Sequence, residues 1–298
     1  TVKVKNPYFE DMDSYYGLIN EGKTAVIEMA SCAGLPLVED RKDPRKTTTY
    51  GVGQLILAAA ESGVEKIIVG LGGSSTNDGG CGAAAAVGVK FYDKDGKEFV
   101  PTGGTTADIC KIDLSGKAEI LNKVEIVTMC DIDNPMYGPT GASHIFGPQK
   151  GADEAMVLEL DEGIKNLSRA ITEAIGKDIS EVPGTGAAGA MGAGMIAFFG
   201  SRLQMGIQTV LDTVKFDEMI SDADYIITGE GKLDSQSLRG KVVIGIAERA
   251  KKQNKNVIAV VGGADDAEID KAYEMGVTAV FPINRLPQDF SISRHHSK

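Results

Sequence analysis

Hydrophobic positions in the last third of the chain form short runs that alternate with helix-like segments. ADYIITG, KNVIAVVGG and TAVFPI are apolar runs bounded by turn residues, as is typical of strands. Between them, GKVVIGIAERAKKQ places Val242, Ile246 and Ala250 four residues apart, and DDAEIDKAYEMG begins with acids suited to a helix N-terminus. This order predicts a βαβαβ arrangement with parallel strands and right-handed crossovers.

The first two thirds of the chain predict a different α/β domain. KTAVIEMA, EKIIVGLGG and VEIVTMCDID have the pattern of strands, and GVGQLILAAAESG has that of a helix. A second helix is indicated by an apolar stripe spaced by three and four residues: Val157, Leu160, Ile164, Leu167, Ile171 and Ile175. The Gly/Ala-rich stretch PGTGAAGAMGAGM marks the return between domains, which gives predicted domains at residues 1–195 and 196–298.

Composition narrows the class of protein. The formal net charge is −11, and no basic stripe accompanies the aromatic residues, so a nucleic-acid partner is not expected. Cys32, Cys81, Cys110 and Cys130 are scattered without CxxC spacing, which favours reduced, cytoplasmic thiols over a zinc site or disulfides. No apolar run approaches the roughly 20 residues of a membrane span, so no membrane partner is expected either.

The stretch GLGGSSTNDGG, residues 70–80 and hereafter the glycine loop, carries the first candidate chemistry. It follows a predicted strand and precedes a predicted helix, so its backbone N–H groups and the helix N-terminus are suited to holding an anion. A tight turn built by Asn-Asp-Gly is the alternative. Asp78 adds a carboxylate that can bind a metal or accept a hydroxyl proton.

A second polar segment, CDIDNPMYGPTGAS, also follows an apolar strand. Asp131 and Asp133 are spaced by two and lie on one side of an extended chain, where they either share a magnesium ion or cap turns. Soon after, in GPQKGA, Lys150 precedes a helix and is either a phosphate-binding cation or an ordinary surface lysine.

The third loop is GEGKLDSQSLRGK, placed beyond a parallel strand, where ligands bind in open α/β sheets. Glu230 and Asp234 offer acid, base or metal-ligand chemistry, and Lys232 offers positive charge. Ser235 and Ser237 are suited to capping the next helix.

Other motifs are weaker. Gly184, Gly186 and Gly189 match G-x-G-x-x-G, but no convincing strand precedes them, so close helix packing or a flexible seam is favoured over a dinucleotide site. His144 is a lone histidine in a Gly/Ser loop, and no P-loop or Ser-His-Asp triad is recognisable. Anion cradles, carboxylates and cations without a nucleophile or redox motif fit phosphoryl transfer.

Seven blocks of the chain closely resemble the class I glycerate kinases, in the family's order and over essentially the whole length. They are KTAVIEMASCAGLPL, RKTTTYGVGQLI, GLGGSSTNDGGCGAA, DIDNPMYGPTGAS, FGPQKGA, PGTGAAGAMGAG and ITGEGKLDSQSLRGK. The resemblance implies transfer of the γ-phosphoryl of ATP, with Mg²⁺, to a hydroxyl of D-glycerate, giving 2- or 3-phosphoglycerate. It also implies two α/β domains, one Rossmann-like and one inserted within it, with the active site in the cleft between them.

The family's opening strand and Asp-x-x-Lys-Gly-Ser-type loop have no match here, so we expect this chain to begin inside the inserted domain and to lack part of the Rossmann-like domain. We expect a cytoplasmic enzyme that is a monomer or a homodimer.

These observations assign hypothetical roles. Asp78, Glu230 and Lys232 are the predicted catalytic residues, and Asp131 and Asp133 the predicted metal ligands. The predicted substrate- and phosphate-binding residues are Gly72, Gly73, Ser74, Ser75, Thr76, Asn77, Lys150, Asp234 and Ser235. A non-catalytic module that binds a hydroxy acid or a nucleotide with the same loops is one alternative. An NAD-dependent oxidoreductase is the other, suggested by the Rossmann-like third and the G-x-G-x-x-G match, and the missing strand before that match argues against it.

Overall fold

The computed structural model of the protein describes residues 1–235 and 237–284, apart from the side chain of Arg239. Contacts within the chain divide it into two units, Thr1–Gln204 and Met205–Lys298. The domain boundary predicted after residue 195 stays a prediction; it falls inside a helix of the first unit.

The first unit mixes strands and helices. Its strands are β1 (Val2–Lys5), β2 (Asp11–Ser14), β3 (Gly17–Ile19), β4 (Thr24–Glu28), β5 (Lys66–Gly70), β6 (Lys90–Tyr92), β7 (Glu98–Phe99), β8 (Lys111–Asp113), β9 (Glu125–Met129) and β10 (Arg202–Gln204). Its helices are α1 (Ala30–Ala33), α2 (Tyr50–Glu61), α3 (Cys81–Ala86), α4 (Ala142–Phe146), α5 (Glu154–Ile175) and α6 (Ala187–Phe199).

A five-stranded sheet in the order β10-β9-β5-β4-β3 forms the centre of this unit. All its neighbours are parallel except β3, which pairs antiparallel with β4 at the edge. Gly70, the last residue of β5, pairs with Glu28 on one side and Met129 on the other. The loops that follow β4, β5 and β9 therefore leave the sheet at the same edge, where ligand sites of parallel sheets form.

The apolar stripe predicted over residues 157–175 is confirmed as the buried face of α5. The Asp153 side chain accepts a hydrogen bond from the Met156 amide at 2.8 Å and begins the helix. Gly176 ends it in the left-handed conformation, with φ of 72°.

The Gly/Ala-rich stretch is a buried helix of the first unit, so the flexible-seam interpretation was wrong and close helix packing is correct. A side chain at Gly192 would place its Cβ 2.2 Å from the Gly184 carbonyl oxygen, and one at Gly194 would meet the Gly79 carbonyl oxygen at 2.4 Å. Small residues let α6 approach backbone this closely. Within it, Ala188, Gly189 and Ala190 are left-handed, with φ of 55°, 69° and 64°.

The second unit carries a parallel sheet in the order β11-β12-β13. Its elements are α7 (Gly206–Thr213), α8 (Phe216–Met219), β11 (Tyr225–Leu233), α9 (Val242–Lys252), β12 (Asn256–Ala264), α10 (Asp266–Glu274) and β13 (Ala279–Pro282). The predicted βαβαβ order is confirmed. The segment GEGKL was expected to be a loop beyond the strand, but it continues β11, which pairs with β12 as far as Leu233 and Ala264.

Two expectations from composition can be compared with this structure. All four cysteines are free thiols, as predicted, and Cys110 alone among them is exposed. Along the described part of the chain, no helix combines the length and the apolar character needed to cross a membrane.

The left-handed residues of α6 generate a stability prediction. Ala190 and Ala193 are both fully buried, but only Ala190 has a positive φ. Both Ala190→Gly and Ala193→Gly remove a buried methyl group. The first also relieves left-handed strain of about 1–2 kcal/mol, and the second adds about 1 kcal/mol of helix-propensity cost. Urea unfolding should therefore find Ala190→Gly about 2 kcal/mol more stable than Ala193→Gly; equal stabilities would contradict the left-handed conformation.

Candidate active site

A cavity of about 340 Å³ opens at the edge of the five-stranded sheet where β5 and β9 end. It lies wholly within the first unit. It is lined by Gly70, Leu71, Gly72, Gly73, Ser74, Met129, Cys130, Asp131, Ile132, Phe146, Gln149, Lys150, Ala187 and Ala188. The cavity thus brings together the start of the glycine loop, the segment after β9, Lys150 and the first turn of α6.

The glycine pair at the start of the loop presents backbone to this cavity. Among the described residues, the amides of Gly72 and Gly73 donate to no protein acceptor. Gly73 has φ of 69°, which favours glycine, and a Cβ added at Gly72 would meet nothing within 4 Å. Two adjacent amides without a protein acceptor, on residues that line a cavity, are suited to an anion.

Lys150 is the buried cation of the cavity. The residue is only 1% exposed although it lines the cavity wall. Its Nζ donates to the Thr76 carbonyl oxygen at 2.6 Å. Burial lowers the pKa of the Lys150 ammonium to about 7, and the negative charge of Asp78 acts in the opposite direction. A lysine with a pKa near 7 takes up a proton and becomes charged when an anion binds beside it.

Asp78 is fully buried and does not line the cavity. Its Oδ2 accepts hydrogen bonds from the Thr49 amide (2.8 Å), the Thr49 hydroxyl (2.9 Å) and the Gly82 amide (3.2 Å). Its Oδ1 accepts from the Gly80 amide at 3.2 Å. Burial raises the pKa of Asp78, while these donors lower it and favour the carboxylate.

These contacts correct one expectation about the glycine loop. The N-terminus of α3 was expected to hold an external anion, but the amides of Gly80 and Gly82 bind the carboxylate of Asp78 instead. Asp78 also binds Thr49, the residue before α2. The side chain therefore joins the starts of two helices to the loop.

The middle of the glycine loop is buried as well. Ser75 donates through its hydroxyl to the Ala33 carbonyl oxygen at 3.0 Å, and the Asn77 amide donates to the Ser143 hydroxyl at 3.1 Å. Two of its buried side-chain oxygens, Thr76 Oγ1 and Asn77 Oδ1, have no hydrogen-bond partner among the described residues. Ser74 lines the cavity, whereas Ser75, Thr76 and Asn77 lie outside its lining.

The two carboxylates after β9 are placed differently. Asp131 lines the cavity, and Asp133, two residues on, does not. Both are exposed. Burial is the main cause of the raised pKa of the Cys130 thiol, and the negative charges of Asp131 and Asp133 raise it further. Across the described residues, no group of three acidic, histidine or cysteine side chains forms a metal site.

The remaining predicted residues belong to the second unit, at the end of β11. Glu230 and Lys232 lie within the strand, and exposed Ser235 follows it. Ser237 and Asp234 exchange hydrogen bonds, and the Ser237 hydroxyl donates to the Lys232 carbonyl oxygen at 3.0 Å. Ser237 therefore ties its turn back to the end of β11 and does not cap the next helix as predicted, because α9 begins after Lys241 with no side-chain cap.

Glu230 differs from its neighbours because part of its side chain is buried without a partner. Its Oε1 is buried and unpaired among the described residues. Partial burial raises the pKa of Glu230, the hydrogen bond from Ser237 lowers it, and the nearby charge of Asp234 raises it.

Several cavity residues were not singled out from the sequence. Phe146 and Gln149 contribute from the segment that leads to Lys150, and Ala188 contributes its left-handed backbone. Gln149 precedes Lys150 in GPQKGA, which was the available signal; alanine at 188 gave none. Lone His144 lies 3.8 Å from Asp161 and outside the cavity lining, while His295 and His296 lie outside the described residues.

The hydrogen bonds of Asp78 generate a prediction that separates structure from catalysis. Asp78→Asn places an N–H group against a backbone N–H donor, so the free energy of unfolding in urea should fall by about 2–3 kcal/mol. The same change at exposed Asp153, where asparagine caps a helix equally well, should alter it by less than about 0.5 kcal/mol. Equal small effects at both positions would contradict the structural role of Asp78.

Comparisons with known proteins identify the family of the chain. The glycerate kinase family model matches residues 1–298. The chain is 45% identical to the glycerate 2-kinase of Escherichia coli K12, over 94% of this chain and 74% of that protein, and 46% identical to a Bacillus cereus glycerate kinase, over 95% and 74%. It also matches the crystal structure of a putative glycerate kinase 2 from Salmonella typhimurium LT2, at 40% identity and a TM-score of 0.83, over 96% of this chain and 75% of that one. The chain belongs to the glycerate kinase family.

Proposed function

We propose that the protein is a glycerate kinase that transfers the γ-phosphoryl of ATP to a hydroxyl of D-glycerate, giving 2- or 3-phosphoglycerate. The observation that carries the proposal is the cavity at the ends of β5 and β9. It is lined by Gly72 and Gly73, whose amides have no acceptor among the described residues, and by the buried Lys150. Phosphoryl transfer depends on positioning and charge neutralisation, which amides and a cation supply.

In this proposal the cavity holds an anionic group of the substrate. The amides of Gly72 and Gly73 donate to its oxygen atoms, with Ser74 beside them, and Lys150 neutralises its charge. Because the cavity is small and Lys150 is desolvated, the attraction between the ammonium and the anion is stronger than it would be in water.

Mg²⁺ is proposed as a second requirement, and the donor set fits it. Magnesium is commonly bound by one or two carboxylates together with substrate phosphates. Asp131 offers a carboxylate at the cavity wall, and Asp133 follows it closely in the chain. When bound, the ion neutralises phosphate charge; Asp131 is the residue we expect to hold it, with Asp133 as the second candidate.

The burial of Asp78 changes the role that we propose for it. A carboxylate that already accepts four hydrogen bonds and lies outside the cavity lining is suited to positioning the glycine loop rather than to taking a proton. Glu230 becomes the proposed base, because its Oε1 has no hydrogen-bond partner among the residues that the structure describes and burial raises its pKa. Lys232, Asp234 and Ser235 are proposed to bind nucleotide phosphates.

The cellular context also remains a proposal. We propose a cytoplasmic enzyme, because ATP is its phosphoryl donor and its four cysteines are free thiols. We also propose that the enzyme is a monomer or a homodimer.

The pKa of Lys150 generates a pH prediction for the natural full-length enzyme. The ammonium loses its proton as the pH rises through about 7, so kcat/KM for D-glycerate should fall with rising pH above that value. Lys150→Met should lower kcat/KM by roughly 10²-fold and abolish this alkaline decline. Phosphorus NMR of the product, followed against pH, measures both the rate and the hydroxyl that is phosphorylated.

Lys165→Met is the matched control, since Lys165 is an exposed lysine of α5. It should keep the wild-type profile. An alkaline decline that persists in Lys150→Met would contradict the role of Lys150, and a folded full-length protein that forms no phosphoglycerate would favour the binding-module alternative.

A further inference from the structure

The first turn of α6 has a backbone conformation that L-amino acids rarely adopt. Residues 188–190 are left-handed in succession, and two of the three are alanines. Left-handed alanine is unfavourable, and such backbone persists only where surrounding contacts enforce it. Ala188 lines the cavity, so this unusual turn lies at its wall.

Gly189, at the centre of the turn, packs directly against the glycine loop. A Cβ added there would lie 2.1 Å from the Thr76 carbonyl oxygen and 2.6 Å from the Asn77 α-carbon. In addition, the Gly79 amide donates to the Gly189 carbonyl oxygen at 3.0 Å. The turn therefore fixes the backbone of residues 76–79 by contact and by a hydrogen bond.

The carbonyl that Gly189 touches is also the acceptor for Lys150. Nζ of Lys150 lies 2.6 Å from the Thr76 carbonyl oxygen, the acceptor it uses among the described residues. Any shift of this carbonyl changes the direction of the ammonium. One backbone oxygen thus connects the turn of α6 to the cation of the cavity.

We propose that Gly189 is a positioning residue for phosphoryl transfer: it holds the Thr76 carbonyl where that carbonyl orients the Lys150 ammonium toward the bound anion. This inference rests on the proposed function of Lys150. It assigns a role to the left-handed turn that helix packing alone leaves unexplained, because Gly192 and Gly194 provide close packing with ordinary helical backbone.

The test is Gly189→Ala in the natural full-length enzyme. The new methyl group displaces the Thr76 carbonyl, and a misplacement of about 1 Å at a catalytic group lowers kcat/KM by roughly 10²-fold. The decrease should fall mainly on kcat if Lys150 acts in the transition state, with the KM for ATP little changed.

Two matched controls separate this effect from strain and from crowding. Gly200 ends the same helix with φ of 64° and has nothing within 4 Å of an added Cβ, so Gly200→Ala reproduces the left-handed strain. Gly88→Ala reproduces both the positive φ, at 100°, and the clash with a carbonyl oxygen, that of Gly116 at 2.1 Å, and neither of these residues lines the cavity. Both should leave kcat/KM within about twofold of the wild type, as expected for folded variants altered away from the site.

A double-mutant cycle with Lys150→Met shows whether Gly189 acts through Lys150. If it does, Gly189→Ala should cost less than about twofold in the Lys150→Met background, because the group that it positions is gone. The proposal would be overturned if Gly189→Ala lowered kcat/KM by the full roughly 10²-fold in the Lys150→Met background. It would also be overturned if the two control variants lowered kcat/KM as much as Gly189→Ala does.

Two further measurements test the link between Gly189 and Lys150 if Gly189→Ala folds poorly or if the enzyme shows no turnover. If Gly189→Ala folds poorly, the kinetic cycle is measured in proteins that also carry Ala190→Gly, because this change relieves left-handed strain at the neighbouring residue. If there is no turnover, urea unfolding of the wild type, the two single variants and the double variant serves instead. The unfolding free energies should be non-additive, because Gly189 and Lys150 both contact the Thr76 carbonyl. A wild-type enzyme without turnover would contradict the proposed function, whereas additive unfolding would contradict the link between Gly189 and Lys150.

Discussion

The first unit depends on the hydrogen bonds that the buried carboxylate of Asp78 accepts. Four donors from Thr49, Gly80 and Gly82 converge on it, and they tie the starts of α2 and α3 to the glycine loop. Their number offsets the cost of burying a charge, which would otherwise be several kcal/mol. With its far end fixed in this way, the loop lines the cavity at its near end with two glycines whose amides have no acceptor in the described part of the chain.

In the proposed function, Lys150 makes this rigid frame a binding place for an anion. Burial lowers its pKa to about 7, so its charge is easily changed by what lies beside it. The Thr76 carbonyl orients the ammonium, and the turn at Gly189 holds that carbonyl. The residues that fix the loop and the lysine proposed to act on the substrate thus share one short stretch of backbone, and Gly189 is small where α6 approaches that stretch.

Elements that depend on local pattern could be predicted from the sequence, and those that depend on distant contacts could not. The run KIIVG reads as a strand because it is apolar throughout, and the stripe of α5 repeats over many turns. GEGKL looked like a loop because glycines and charges are poor strand formers, yet pairing with β12 keeps it extended. The burial of Lys150 and the left-handed turn at 188–190 arise from contacts with chain segments distant in sequence, which no local pattern encodes.

A crystal structure of the full-length enzyme with D-glycerate and a non-hydrolysable ATP analogue would show whether the cavity at the ends of β5 and β9 binds an anionic ligand. We expect an anionic group of a ligand within hydrogen-bond distance of the Gly72 and Gly73 amides, with the Lys150 ammonium beside it. Both ligands bound elsewhere, with the cavity at the ends of β5 and β9 filled only by water, would contradict it.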